Sequence, residues 1–293
     1  TARPDLAGSL NAVFIYRKGR PIALIILLLL VLVNWLSEPT RTGHPDNAGK
    51  TVVAGTVGLP VAEFRRLLFD GLQRVSSRKI EAQPVTIVAI DEASLARIGQ
   101  WPWPRNLLAK LIRQIGDRGP AGIGLDLYMP ESDQTSPDRV AANLPPEATM
   151  LAGALANLPR HDQVLADVLK STPSVLGVVG VVTDANASIY GVRMTPVQVH
   201  GENPLPFVLA YSQALSSLPE LQEAVRGQAV LSVELDQGVV RRVPLVVGLS
   251  GQLAPGLAME MLRVATDSPA VEADVNRHGI ETVSVADLKV PVQ

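Results

Sequence analysis

The chain has 293 residues, 47% of them apolar and 18% charged, with a formal net charge of −2 and no cysteine. That balance excludes a disordered chain, offers no basic stripe for nucleic acid, and removes disulfides, thiolate metal sites and a cysteine nucleophile. The length accommodates one large domain or two small ones.

The first element in chain order is PIALIILLLLVLVNWL, residues 21–36, in which residues 22–33 are all aliphatic. With the uncharged residues 13–16 and 34–36 around it, the stretch approaches the ~20 residues that cross a bilayer. Arg17, Lys18 and Arg20 precede it, whereas only Glu38 and Arg41 stand close behind. The positive-inside bias therefore predicts a cytoplasmic tail over 1–20, a transmembrane helix over 21–37 and an exported remainder. Tyr16 and Trp35 fall at the two expected interfaces, against the membrane lipid. A cleaved signal peptide is the alternative, and it exports residues 38–293 equally.

Residues 38–59 form a polar linker, and 60–293 one extracytoplasmic domain. Apolar residues Val61, Phe64, Leu67, Leu68 and Leu72 predict a helix over 60–75. PVTIVAID, 84–91, is short, apolar and β-branched, as in a strand buried on both faces. A short helix, 92–98, follows, with Asp91 as N-cap and Gly99 as its exit. Leu107, Leu108, Leu111, Ile112 and Ile115 predict a longer one after Pro104. AGIGLDLYMP, 121–130, reads as a second strand, which completes a βαβ unit with parallel strands. Helices are expected at 149–157 and 161–172, a strand at 173–182, and a helix at 207–216; residues 183–206 look irregular. GQAVLSVEL and GVVRRVPLVVGL make a hairpin across Asp236-Gln237-Gly238, followed by a helix at 255–265 and one more short strand. The fold class is α/β, a mixed sheet with a parallel βαβ core and an antiparallel hairpin, preceded by one transmembrane helix.

The chemistry-bearing stretch is IDEASLARIGQWPWPR, 90–105. If Asp91 and Asp126 close neighbouring parallel strands, both carboxylates face the carboxyl edge, where α/β proteins bind ligands. They could then hold a divalent cation or act as acid and base, while Arg105 pairs with a carboxylate or grips an anion and Trp101 and Trp103 wall a ligand. The plainer reading makes Asp91 a helix cap, the WPWP run a stiff connection and Arg105 a structural ion pair. Asp91, Glu92, Ser94, Trp101, Trp103, Arg105 and Asp126 are the candidate ligand-binding residues. His161 and His200 read as solvated. No G-x-S-x-G elbow or phosphate-binding glycine loop occurs, so no catalytic residue and no metal site are assigned.

VTIVAIDEASLARIGQWPWPRNLLAKLI followed by AGIGLDLYMPESD resembles the signature of the second class of CHASE domains, extracellular sensor modules associated with cyclases and histidine kinases. FRRLLFDGLQR, with Asp70, is similar to that family's first helix. HDQVLADVLKSTPSVLGVVG resembles its later helix and strand. DQGVVRRVPLVV resembles its aspartate–glycine–arginine hairpin, with Gln237 at the second acidic position.

The resemblance implies a receptor whose exported domain senses a ligand or an envelope protein and biases a cytoplasmic enzyme after residue 293, beyond about three more membrane helices. A class III adenylate cyclase is the expected output, with a histidine kinase, a serine/threonine kinase or a diguanylate cyclase as alternatives. It also implies a homodimer and no cofactor in this segment, Mg and ATP belonging to the cyclase domain. Two rivals remain: an exported α/β enzyme using Asp91 and Asp126 with a divalent cation, and a module that docks an envelope protein without a small ligand. Nucleic acid is not an expected partner.

Overall fold

The computed structural model describes residues 58–76, 84–182, 191–236 and 238–292, together with Leu28. The predicted span at 21–37 and most of the linker lie outside them, as does Gln237. No helix among the described residues is long and apolar enough to cross a membrane. Two compact units are distinguished: one contains helix α1 (Gly58–Val75) and residues 84–88, the other residues 89–292. In the first unit α1 has the predicted extent, and its Leu67, Leu68, Leu72 and Val75 are exposed.

The second unit opens with α2 (Glu92–Ile98) and α3 (Arg105–Gly116), both where their apolar spacing and caps place them. Strand β1 (Ile123–Leu125) leads through α4 (Pro137–Ala142), α5 (Thr149–Ala156) and α6 (His161–Lys170) to β2 (Ser174–Val181). Then follow β3 (Gln198–Gly201), β4 (Ala210–Tyr211), β5 (Gln213–Leu215), α7 (Pro219–Ala224) and β6 (Gly227–Val230). The chain continues through β7 (Val246–Leu249), β8 (Gln252–Pro255), α8 (Leu257–Ala265), β9 (Glu272–Asn276), β10 (Gly279–Val285) and β11 (Leu288–Pro291).

The parallel core is β1-β2-β6, and β5 joins the last residues of β2 antiparallel. Successive residues of β2 face opposite sides, as the strand period requires. Leu176 enters a core with Trp103, Leu108, Ile112, Leu165, Leu169 and Leu221, from α3, α6 and α7; Val175 enters one with Ala229 and Val264, beneath α8. Burying each large aliphatic side chain contributes roughly 1.5–3 kcal/mol, so these layers dominate the local stability. Two further sheets complete the unit, β11-β10-β9-β3 and β4-β7-β8.

Four expectations need correction. Residues 84–91 form no strand; Val85, Ile87 and Val88 are exposed, and the parallel partner of β1 is β2, with α6 in the crossover. A short β-branched run has strand composition, but a strand exists only where another offers its edge. The segment 207–216 is not a helix: after a 3-10 turn at Leu205–Phe207 it gives β4, paired with β7, and β5, paired with β2. The expected hairpin is reduced to its turn: Asp236 and Val239 exchange two backbone hydrogen bonds at 3.0 and 3.2 Å, but the flanking runs do not pair, and β6 runs parallel to β2. A longer hairpin follows in β7–β8, turned by Ser250 and Gly251 with φ of 50° and 80°, the positive pair that suits a tight two-residue turn. Finally, the tail from residue 279 holds two strands rather than one, β9 precedes it, and the irregular stretch contains β3.

Candidate functional site

The Asp91–Arg105 stretch is built by capping. Asp91 Oδ1 accepts from the Ser94 amide at 2.9 Å and from its hydroxyl at 2.6 Å, closing the first turn of α2. The Ser94 hydroxyl and then its amide hold the Asp91 carboxyl below the ordinary carboxylate value. Glu92 follows in the same first turn, where the helix dipole favours an anion. Gly99 ends the helix at φ 120°, and its carbonyl accepts the Trp103 indole N–H at 2.8 Å. Trp103 is buried in the α3–α6 core, whereas Trp101, which precedes a cis proline, is 40% exposed and meets Trp103 edge-on at 6.0 Å.

Helix α3 begins at Arg105 behind Pro104, and α6 begins at His161 behind Arg160; neither leading residue caps with its side chain. Both helix starts therefore need acceptors from elsewhere. One loop supplies them. Asp133 Oδ2 accepts the Arg105 amide at 2.7 Å, and Ser136 Oγ accepts the His161 amide at 3.1 Å. Asp133 also takes the Thr135 amide and hydroxyl on Oδ1, at 2.8 and 2.7 Å, and its Oδ2 lies 3.0 Å from His161 Nδ1. Its own amide donates to Asp162 Oδ2 at 3.1 Å. Asp162 Oδ1 and Arg105 Nε are both buried and 3.8 Å apart, and neither has a hydrogen-bond partner among the described residues.

The electrostatics follow from this geometry. Burial pushes the Asp133 carboxyl up, but its donors from Arg105, Thr135 and His161 together outweigh burial and hold it below the ordinary value. Burial raises Asp162, and its hydrogen bond from Asp133 and the Arg105 charge do not cancel that. Burial likewise lowers the Arg105 guanidinium, against the attraction of Asp162 and Asp133. Because the folded Asp162 value exceeds the unfolded one, the native state binds more protons across that window. The Asp162 contribution to stability therefore falls as pH rises from the ordinary value of 3.8 through the raised one. Asp162→Asn is expected to remove that slope, as urea unfolding at a series of pH values across the window will show.

The structure thus joins Arg105 to the core beside Trp103 and joins Asp91 to Ser94, but it does not bring Asp91 and Asp126 to the ends of paired strands. Asp126 is exposed just after β1, and Glu92 is exposed on α2. Among the described residues no group of three or more acidic or histidine side chains could hold a metal ion. His161 is not solvated as expected: its side chain is 14% exposed and faces Asp133. Asp133, Ser136 and Asp162 escaped the sequence reading. The available signal was negative, two strongly periodic helices whose first residues follow a proline and an arginine rather than a capping side chain. A separate open depression of about 600 Å3 lies between β3 and the β7–β8 turn.

A family model described as the CHASE2 domain matches residues 50–293. The chain belongs to the CHASE2 family. CHASE2 domains are extracellular sensor domains of signalling proteins. The match takes in the whole of the capped hub, in which the WPWPR block of this CHASE2 domain joins α2, α3 and the loop before α4. No curated protein and no solved structure matches the chain.

Proposed function

We propose that this CHASE2 domain is the extracytoplasmic sensor of a transmembrane receptor, anchored by residues 21–37 with its first 20 residues in the cytoplasm. The family match over residues 50–293 carries the reading. The aliphatic run behind Arg17, Lys18 and Arg20 supports the orientation. A stimulus must bind two conformations of the domain with different affinity to bias an output. Helix α1, between the predicted anchor and the sensor, is the route by which such a difference reaches the membrane. Exposed Asp91, Glu92, Trp101 and Asp126 are the candidates open to a ligand, and Ser94, Trp103 and Arg105 hold the surface that carries them. The output is a class III adenylate cyclase that uses Mg and ATP and works as a homodimer, its active sites lying between two chains; a kinase or a diguanylate cyclase is the alternative.

Reporter fusions test the topology. Alkaline phosphatase joined after residue 293 is expected to be active, and a cytosol-dependent fluorescent protein joined there is expected to be dark. The opposite pair of results overturns the sensor reading. Cyclic AMP formation by the full-length protein from Mg and ATP then separates a cyclase from the kinase outputs.

A further inference from the structure

Strand β3 is a sheet edge: among the described residues it pairs only with β9, in parallel, and all four of its residues are exposed. The Gln198 amide donates to the Val271 carbonyl at 2.8 Å and the Glu202 amide to the Val275 carbonyl at 3.1 Å. Residues 198, 200 and 202 therefore direct their backbone groups at β9. Backbone direction alternates along a parallel strand, so Val199 and Gly201 direct N–H and C=O the other way. On that side they have no partner among the described residues.

Opposite them stands β8. Its Gln252 and Ala254 face β7 in the hairpin, so Leu253 faces β3. The Val197 amide reaches the Leu253 carbonyl at 3.4 Å, and from that weak contact the two chains open into the 600 Å3 depression. Val197, Val199, Gly201, Leu205, Gly251 and Leu253 line it, and Glu202 is the one charged residue of its wall among the described residues. The volume lies within the ~300–1,000 Å3 usual for ligand clefts. Pro196 and Pro204 bracket the wall and keep β3 short, one of the devices that restrain an open edge from pairing at random.

We propose that this wedge takes up an extended polypeptide segment of an envelope protein, which adds to β3 as a strand. The backbone wall decides the chemistry. Val199 and Gly201 turn two donor–acceptor pairs to this side about one strand repeat apart, Gly201 through a φ of 104° rather than extended backbone. An extended peptide offers the complementary pairs at the same repeat, whereas a small ligand meets one of them. Strand addition takes affinity from such main-chain bonds and specificity from alternate side chains. Here the half-buried Leu205 receives one face of the peptide, and Glu202 favours a basic residue. The inference names a stimulus for the sensor proposed above. Binding is read on the chain itself, so a topology result that overturned the sensor would leave this measurement intact.

The test uses the full chain in detergent micelles and a fluorescein-labelled, end-capped pentapeptide of alternating valine and lysine, followed by anisotropy. Saturable binding is expected. Two further peptides, N-methylated at the odd or at the even residues, are expected to differ at least tenfold, since only one set faces β3. Val199→Pro removes an edge N–H that β9 does not use; it is expected to weaken binding about tenfold with an unchanged melting temperature. Absence of saturation, equal binding of the two methylated peptides, or unchanged binding by a folded Val199→Pro chain would each overturn the proposal. So would a dimer that Val199→Pro dissociates without peptide, because a second copy would then fill the wedge.

Discussion

Replacing Asp133 by alanine is expected to destabilise the sensor unit by about 3–5 kcal/mol, the loss typical of a buried charged group removed from its partners. The carboxylate is 8% exposed and accepts from the Arg105 amide, from the amide and hydroxyl of Thr135, and faces His161. Alanine fills none of these roles. The first amide of α3 loses its acceptor, and Arg105 keeps only Asp162, 3.8 Å away, as a counter-charge. Since Asp133 titrates below its ordinary value, its contribution is present above pH 3.8 and is lost as pH falls through the lowered value. The gap between the Asp133→Ala and wild-type melting temperatures should therefore be about 10 °C at neutral pH and should narrow on acidification. Circular dichroism melts at pH 7 and near pH 3 measure both; an equal gap at both would mean that packing, not charge, carries the effect.

The second large effect belongs to Glu260 and Arg263 on α8. Glu260 is fully buried, and Arg263 grips it with two bonds, Nε to Oε2 at 2.9 Å and Nη2 to Oε1 at 2.7 Å. The remaining guanidinium donors hold the carbonyls of Ser268, at 3.1 Å, and Arg226, at 2.8 Å. The pair thereby fastens the end of α8 to the residue just before β6. Such a pair gains little over a well-packed apolar substitute, but breaking it strands a charge. Glu260→Ala is expected to cost about 3–5 kcal/mol, and the double change Glu260→Ala with Arg263→Met about 2 kcal/mol less, by removing the stranded cation. Denaturant titration of the three chains gives both numbers, and a double variant worse than Glu260→Ala would overturn the argument. The nearest space is already taken. A Cβ on Gly227 would lie 2.0 Å from Glu260 Oε1, so glycine is required where β6 passes the pair.

Local chemistry was legible in the letters. Asp91 and Gly99 bound α2, the leucine and isoleucine spacing set α3, and the apolar run over 173–182 marked β2 as a strand. Each of those signals lies within a few residues of its effect. Pairing partners were not legible. Residues 84–91 have the composition of a strand without an edge to join, and 207–216 divides between two sheets because β7 and β2 reach it first. The Asp236–Gly238 trio does turn the chain, but its flanking runs find other partners, and the longer hairpin forms at Ser250-Gly251, also a turn dipeptide. The hub was hidden for a related reason: Asp133 serves a helix start 28 residues before it, and no short pattern connects the two. His161 looked like a surface residue at a helix start, and only the fold reveals the carboxylate beside it.

Helix α8 has a role that neither sheet shows alone. Its Val264 and Met261 belong to the layer beneath β2, while Met259 and Leu262 belong to the layer among β9 and β10. One rod of nine residues is thus the common keel of both hulls. A strain applied at the edge beside β9 reaches the parallel strands without crossing a solvent gap, and the two halves stand or founder together.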